Sequence, residues 1–323
     1  MKIFLTTVFF LFTLFASYGQ RLSATEINKF KKQEDSLKTN AAKILYGRTA
    51  KEKFEADSLF TKGLVRALIN KNSYYFPFDS LVSISKQYPA DSSFRIITWQ
   101  MLINEKVVRQ HGAIQMKTAD GSLKLFPLID KSDVTIKTTD TIADNRAWMG
   151  AVYYKIVEKS FEGKKYYTLL GFDENTMSTD KKVIEVLTFN DGKPQFGGRY
   201  FVMENGKPNT MARFELEYKK QTSPKLGYDD GLDMIVMEHL VSETNEPNKK
   251  YTLVPDGDYE GFKWINGRWV YVAKIFNEVT ELGNAPVATP IRDDQGNIDY
   301  KKLKGSDEER PVVPAKPKKK VKQ

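Results

Sequence analysis

Tyr166-Tyr167-Thr168-Leu169-Leu170-Gly171-Phe172, then Lys182-Val183-Ile184-Glu185-Val186-Leu187-Thr188-Phe189 and Asp191-Gly192, is the stretch that decides the fold. Both runs are rich in β-branched and aromatic residues, which suit a pleated, half-buried surface. Asp-Gly supplies the left-handed conformations that a two-residue hairpin turn requires. The pattern extends in both directions. Strands are expected at 94–103, 107–117, 123–130, 149–158, 196–204, 211–218, 232–240, 251–254, 259–265 and 269–276. Asp120-Gly121, Glu162-Gly163, Asn205-Gly206 and Asn266-Gly267 are further turn pairs among them. No helix-length crossover separates consecutive strands, so residues 93–280 read as an antiparallel β meander, barrel-like or sandwich-like, and not as βαβ units.

Individual strands refine this picture. Residues 211–218 alternate, with Ala212, Phe214, Leu216 and Tyr218 expected inward and Arg213, Glu215 and Glu217 outward. Met149–Val157 and Leu232–Leu240 are apolar on both faces, as central strands covered on each side would be. A transmembrane barrel would need a lipid-facing apolar band on nearly every strand. The charged face of 211–218 and the charged end of the chain count against it.

Residues 20–92 read as helical. Ser23-Ala24-Thr25-Glu26 and Thr49-Ala50-Lys51-Glu52 fit the capping box, in which a hydroxyl and a carboxylate satisfy orphan amides at a helix start. Ile27, Phe30, Leu37, Ala41, Ile44 and Leu45 form a stripe behind the first, and Gly47 suits its stop. Ala56, Phe60, Leu64, Ala67 and Leu68 do the same behind the second. Asp79 is placed to cap a third, short helix ending at Pro89. Asp-Ser-Leu recurs at Asp35, Asp57 and Asp79, but the flanking residues do not repeat with it. The fold class expected is therefore α+β, with the helices covering one face of the sheet.

The two ends differ from the body. Met1-Lys2, the apolar run Ile3–Ala16 and small residues at Ser17 and Gly19 read as a signal peptide spanning residues 1–19, cleaved before Gln20. The run is too short to span a bilayer comfortably, which takes about 20 residues, so the mature chain is expected to be exported and not membrane-spanning. The chain has no cysteine, which excludes disulfides, thiol catalysis, thiolate metal sites and lipidation at a cysteine. Residues 281–323 mix prolines with charges and read as a disordered tail. The formal charge is +9. Residues 301–323 hold nine Lys/Arg against three acids, and Lys2 leaves with the leader, so the body carries only +2. That excludes the body as a nucleic-acid binder and leaves the tail to contact anionic polymers or lipid head groups.

Chemistry-bearing candidates are few. Asp256-Gly257-Asp258-Tyr259-Glu260-Gly261 begins like a calcium loop, with carboxylates at Asp256, Asp258 and Glu260, but its twelfth position is Gly267 in place of a glutamate. Calcium is thus the one cofactor considered; the alternative is an acidic turn between strands. Asp229, Asp230 and Asp233 surround Gly231 and would serve as paired carboxylates if brought close together. His239 neighbours Glu238, but adjacent strand residues face opposite ways; His111 is the second of only two histidines. Ser83-Ile84-Ser85-Lys86 and Ser178-Thr179-Asp180-Lys181 match Ser-x-x-Lys without a Lys-Thr-Gly partner. Tyr259, Trp264 and Trp269 are expected to form an exposed aromatic cluster able to stack on a sugar or grip a peptide.

Lys165–Asp173, Lys182–Phe189 running into Gly192-Lys193-Pro194, Phe94–Trp99 and Pro255-Asp256-Gly257 together resemble a group of uncharacterised exported proteins of Bacteroidota. The resemblance covers most of the β body and implies a periplasmic or cell-surface setting, with no activity to transfer. Asp191-Gly192-Lys193-Pro194 and Glu204-Asn205-Gly206-Lys207-Pro208 also echo MORN-like hairpins, though two units do not make a repeat. The function expected is a non-enzymatic binding or scaffolding protein of the cell envelope, whose partner is an envelope protein or a glycan. The alternative is a secreted hydrolase of glycans or peptides using carboxylates.

Overall fold

Ser23 and Thr49 open two helices for the reason their contexts imply. A computed structural model describes residues 22–104, 107–203 and 211–276; the expected leader, the tail and the Asn205-Gly206 turn lie outside them. In α1 (Ala24–Tyr46), Ser23 Oγ accepts the Glu26 amide at 3.2 Å and the Glu26 carboxylate accepts the Ser23 amide at 2.8 Å. In α2 (Ala50–Leu68), Thr49 Oγ1 accepts the Glu52 amide at 3.2 Å, but Glu52 takes the amide of Arg48, not that of Thr49. Phe30, Leu37, Ala41 and Ile44 of α1 are buried with Ala56, Phe60, Leu64, Ala67 and Leu68 of α2. The third helix expected from Asp79 does not form. Two turns lead instead into a short strand, β1 (Ser85–Gln87), because Leu81 and Ile84 are drawn into the core under α1 and α2.

Three sheets follow. The first runs β1, β2 (Phe94–Asn104), β3 (Val107–Met116) and β4 (Lys124–Ile129), each antiparallel to the next. The second contains β5 (Ala143–Asp144), β6 (Val152–Phe161), β7 (Lys164–Asp173), β8 (Thr179–Asn190) and β9 (Lys193–Phe196) in the order β5-β9-β8-β7-β6. The third joins β10 (Phe201–Val202), β12 (Leu226–Asp229), β13 (Met234–Ser242), β14 (Leu253–Ile265) and β15 (Arg268–Val272) in the order β10-β15-β14-β13-β12. β11 (Arg213–Lys219) belongs to the second sheet, paired with the first half of β8. Glu162-Gly163, Asp191-Gly192 and Asn266-Gly267 make tight hairpins with positive φ at both residues, as these dipeptides allow. The meander is interrupted where β5 pairs with β9, β11 with β8 and β10 with β15, the last pair being parallel. Residues 196–204 break at Gly197-Gly198, whereas 251–254 and 259–265 fuse into β14. No closed barrel forms among the described residues, and no described helix is long and apolar enough to cross a membrane.

The layers stack through the two-residue period of the strands. Ile97, Trp99 and Met101 of β2 face the helices, where Trp99 Nε1 donates to buried Asp57 at 2.8 Å. Phe94 and Ile96 face the opposite way and pack with Tyr153, Tyr167, Leu169, Leu187 and Phe196 of the second sheet. Tyr166, Leu170, Ile184 and Val186 turn to Ile235, Met237, Phe262 and Trp269 of the third. Each fully buried large side chain contributes about 1.5–3 kcal/mol. β13 is central in its sheet as expected, but β6 is an edge strand, and the helices cover the first sheet and neither of these strands.

Arg213 departs from the alternation reading. It is 1% exposed, because β11 pairs with β8 and its second face lies against the interior between the first two sheets. Its guanidinium donates to Glu185, which also receives the Tyr153 hydroxyl; Tyr153 in turn accepts Trp148 Nε1 at 2.7 Å. Burial, followed by the Glu185 charge, pushes the Tyr153 hydroxyl well above its ordinary pKa. Losing one partner of a buried pair strands a charge, so Arg213→Met is expected to cost about 3–5 kcal/mol in urea denaturation. Adding Glu185→Gln, which keeps an acceptor for Tyr153, should recover much of that loss; a double variant as unstable as the sum of the singles would refute the assignment.

Candidate functional site

β3 turns Gln110 toward the second sheet, and a polar crevice opens around it. Gln110 is 5% exposed. Its Nε2 donates to Asp173 Oδ1 at 2.9 Å and to Gln100 Oε1 at 3.3 Å, which fixes the amide and leaves Oε1 without a donor. The Gln110 backbone amide donates to Asp130 Oδ2 at 3.3 Å, while Asp130 Oδ1 accepts the Ser132 amide at 2.9 Å. Gly150, at φ +56°, lets the chain pass close by, since a Cβ there would meet Gln110 Cγ at 2.7 Å and Asp130 Oδ1 at 2.8 Å. The cavity measures about 370 Å³; Arg109, Asp133, Thr138, Asn175 and Lys181 complete its polar lining, with Val107 and Val108 beside them.

Its charges are unevenly compensated. Arg109 Nη1 meets Asp133 Oδ2 at 2.7 Å. Lys181 Nζ is shared, 3.6 Å from Asp173 Oδ2 and 3.4 Å from Glu215 Oε2. Burial pushes the Asp173 carboxyl above its ordinary range and the Asp130 charge adds to this; Lys181, the Asn175 amide and Gln110 oppose it without prevailing. An unpaired buried acceptor costs free energy unless a donor arrives. Gln110 Oε1 is therefore a buried acceptor left without a donor at the edge of the crevice.

The residues expected from sequence go elsewhere. Asp229 Oδ1 accepts the amides of Gly231 and Leu232, both at 2.9 Å, closing the β12–β13 turn. Asp233 is bound by Lys159 and the Tyr228 hydroxyl, which hold its carboxyl below the usual range. Asp230 is exposed on the same turn. These carboxylates shape a surface turn and enclose no common space.

Asp256, Asp258 and Glu260 lie in strand β14, not in a loop. Glu238 pairs with Tyr259 and Leu240 with Pro255, so residues 256–258 bulge opposite His239. The bulge brings Asp256 Oδ2 to His239 Nδ1 at 2.8 Å, a pairing that sequence proximity to Glu238 concealed. Burial raises Asp256, but the bonds from His239 and the Asp258 amide outweigh it and hold the carboxyl low. Asp258 sits 3.7 Å from Lys274, and Glu260 receives the Tyr271 hydroxyl. Among the described residues no three histidine or carboxylate side chains gather as a metal-binding set. His111 stacks on Trp99 with ring centroids 5.6 Å apart, on the face toward α2. In the two Ser-x-x-Lys matches, Lys86 bonds the Leu81 carbonyl and Lys181 serves the crevice.

Tyr259, Trp264 and Trp269 form no exposed aromatic face. Trp269 is fully buried, and its Nε1 donates to Thr168 Oγ1 at 2.9 Å across the second and third sheets. Trp264 packs on Trp269 at 5.1 Å and on Tyr166 at 5.3 Å, while Tyr259 meets Phe276 at 5.6 Å. The sheet stacking that the sequence left undetermined takes Trp269 into the core and Trp264 to its edge, while Tyr259 stays half-buried apart from them.

Comparison with protein-family models, curated proteins and solved structures finds no match to the chain.

Asp173 offers a test of the electrostatics. Its folded pKa lies above the unfolded value, so the ionised carboxyl costs stability at neutral pH, and that cost disappears as pH falls through the folded pKa. Asp173→Asn is therefore expected to raise the melting temperature at pH 7 by a few degrees, with the gain vanishing at about pH 3.5. A gain of equal size at both pH values would assign the effect to packing.

Proposed function

We propose that this chain is an exported binding protein of the cell envelope, and that its ligand is a hydroxyl-rich, glycan-like molecule held in the crevice between the first two sheets. The leader read in residues 1–19 and the likeness to exported Bacteroidota proteins support the setting. The observation that carries the ligand reading is Gln110: buried, fixed in orientation, and without a donor at Oε1 beside Asp130 and Asp173. Hydroxyls donate to such acceptors and accept from Arg109 and Lys181. A cavity of this size suits one or two sugar rings. The aromatic cluster is withdrawn from this role, because Trp269 is buried, Trp264 packs on it and Tyr259 stands apart, so the three share no open face.

Binding is measured by calorimetry with fragments released from purified cell-wall sacculi and with a panel of neutral and acidic oligosaccharides. Gln110→Leu is expected to weaken the bound fragment at least tenfold, in line with loss of a buried hydrogen bond and its geometry, while leaving the fold intact. If no fragment binds, or if Gln110→Leu binds as the parent does, the crevice is not the ligand seat.

A hydrolase is the second reading, favoured by one observation. Asp173, raised by burial, and Asp130, held by two backbone amides, share the crevice as acids in unlike environments. Turnover of a bound oligosaccharide that disappears in Asp173→Asn while binding persists would establish it in place of the binding reading.

A further inference from the structure

Val134 and Ile136 stand on the connection between β4 and β5 with 69% and 98% of their surfaces exposed. The connection is braced. Short 3-10 turns occupy Ser132–Val134 and Thr138–Asp140; Thr135 Oγ1 donates to the Lys131 carbonyl at 2.8 Å and Thr141 Oγ1 to that of Lys137 at 2.7 Å. The Ala212 amide ties Thr139 to β11 at 2.7 Å. The two aliphatic side chains are thus held out from the body on a framed tip.

The charges of the same segment are sorted by sign. Asp133 pairs with Arg109 and Asp140 with Arg199, both from other elements, and Asp130 is taken up by backbone amides. Lys131 and Lys137, which flank the aliphatic pair, are exposed and meet no carboxylate among the described residues. Asp133 and Asp140 are half exposed but ion-paired, so the uncompensated charge beside the apolar apex is that of Lys131 and Lys137.

We propose that residues 131–142 form a docking loop for an anionic lipid surface, with Val134 and Ile136 entering the interfacial region and Lys131 and Lys137 meeting head-group phosphates. A narrow apex of two side chains suits insertion between lipids, whereas a stable protein interface calls for a broad face of roughly 800 Å² per partner. Cations on both sides of an apolar apex are the arrangement that adds electrostatic attraction to interfacial burial. So few apolar groups give reversible attachment, and a second basic element, such as Lys318-Lys319-Lys320 of the same chain, would strengthen it. Ser132, Asp133 and Thr138 of this segment also line the crevice, so docking would bring the ligand seat to the lipid boundary. The proposal does not depend on which ligand the crevice takes.

Vesicle flotation tests it, using the mature chain from Gln20 with phosphatidylglycerol-containing vesicles and with pure phosphatidylcholine. Binding is expected on the anionic vesicles, with at least a fivefold loss for Val134→Asp/Ile136→Asp and a clear loss for Lys131→Glu/Lys137→Glu. Thermal melting should be unchanged, because none of these side chains is packed. The proposal is overturned if the parent chain does not float, if it binds both vesicle types alike, or if the aspartate pair binds as the parent does. It is equally overturned if Lys318→Glu/Lys319→Glu/Lys320→Glu abolishes binding while the aspartate pair keeps it. Loss of a captured envelope protein in the aspartate pair, with vesicle binding intact, would give the loop to a protein partner instead.

Discussion

A sheet with no solvent face cannot carry a polar side chain unless the stack supplies its partner, and the second sheet is covered on both sides. Its residues alternate between an interface with the first sheet and an interface with the third. Where its strands bury a charge, the partner must come from within the stack. Glu185 meets this demand with Arg213 from the neighbouring strand and with Tyr153. Trp269 meets it through Thr168, which ties the third sheet to the second. The apolar contacts bring the layers together without direction, while these few bonds specify which register brings them together. A one-residue slip of β8 would turn Glu185 away from Arg213 and Tyr153 and send Ile184 and Val186 to the wrong interface.

Much of this organisation is written locally. The capping pattern at Ser23 and the apolar stripe behind it concern residues within a few turns of one another, so sequence alone locates α1. Glu162-Gly163 and Asn266-Gly267 encode their hairpins because turn geometry is set by two residues. Stacking is not local. Arg213 reads as solvent-facing because charge usually marks the wet face of an antiparallel strand, and only the second covering layer reverses that. The same layer buries Trp269. Asp79 resembles a helix cap, but Leu81 and Ile84 are worth more in the helical core than a third helix would return, and the chain becomes β1.

The crevice was illegible for a related reason. It draws Gln110 from β3, Asp130 and Asp133 from the connection after β4, and Asp173 and Lys181 from either side of the β7–β8 turn. No spacing links these segments, because the first and second sheets meet only after folding. A trace of it is present in Gln110, a neutral amide on the inward register of β3 across from Gln100, where an aliphatic residue would be the ordinary choice. The acidic clusters that are conspicuous in sequence, Asp229–Asp233 and Asp256–Glu260, owe their density to a turn and a bulge. Both features use carboxylates to bind backbone amides or neighbouring cations.

The two kinds of carboxylate differ in how fully their surroundings compensate them. At Asp229 and Asp233 each charge is met by groups within the same turn or by Lys159, and little remains for a ligand to add. At Asp173 the one cation among the described residues, Lys181, is divided with Glu215, and the adjacent Gln110 carbonyl is left without a donor. A folding solution that minimised energy alone would place an aliphatic residue at 110 or a second cation near 173. A few residues away on β8 both Glu185 oxygens are met, by Tyr153 and Arg213, although Arg213 Nε and Thr188 Oγ1 go without a partner. Gln110 and Asp173 are left short together and beside an open crevice, which is the basis of the proposed ligand seat and sets them apart from scattered unpartnered atoms such as Thr61 Oγ1 and Thr188 Oγ1.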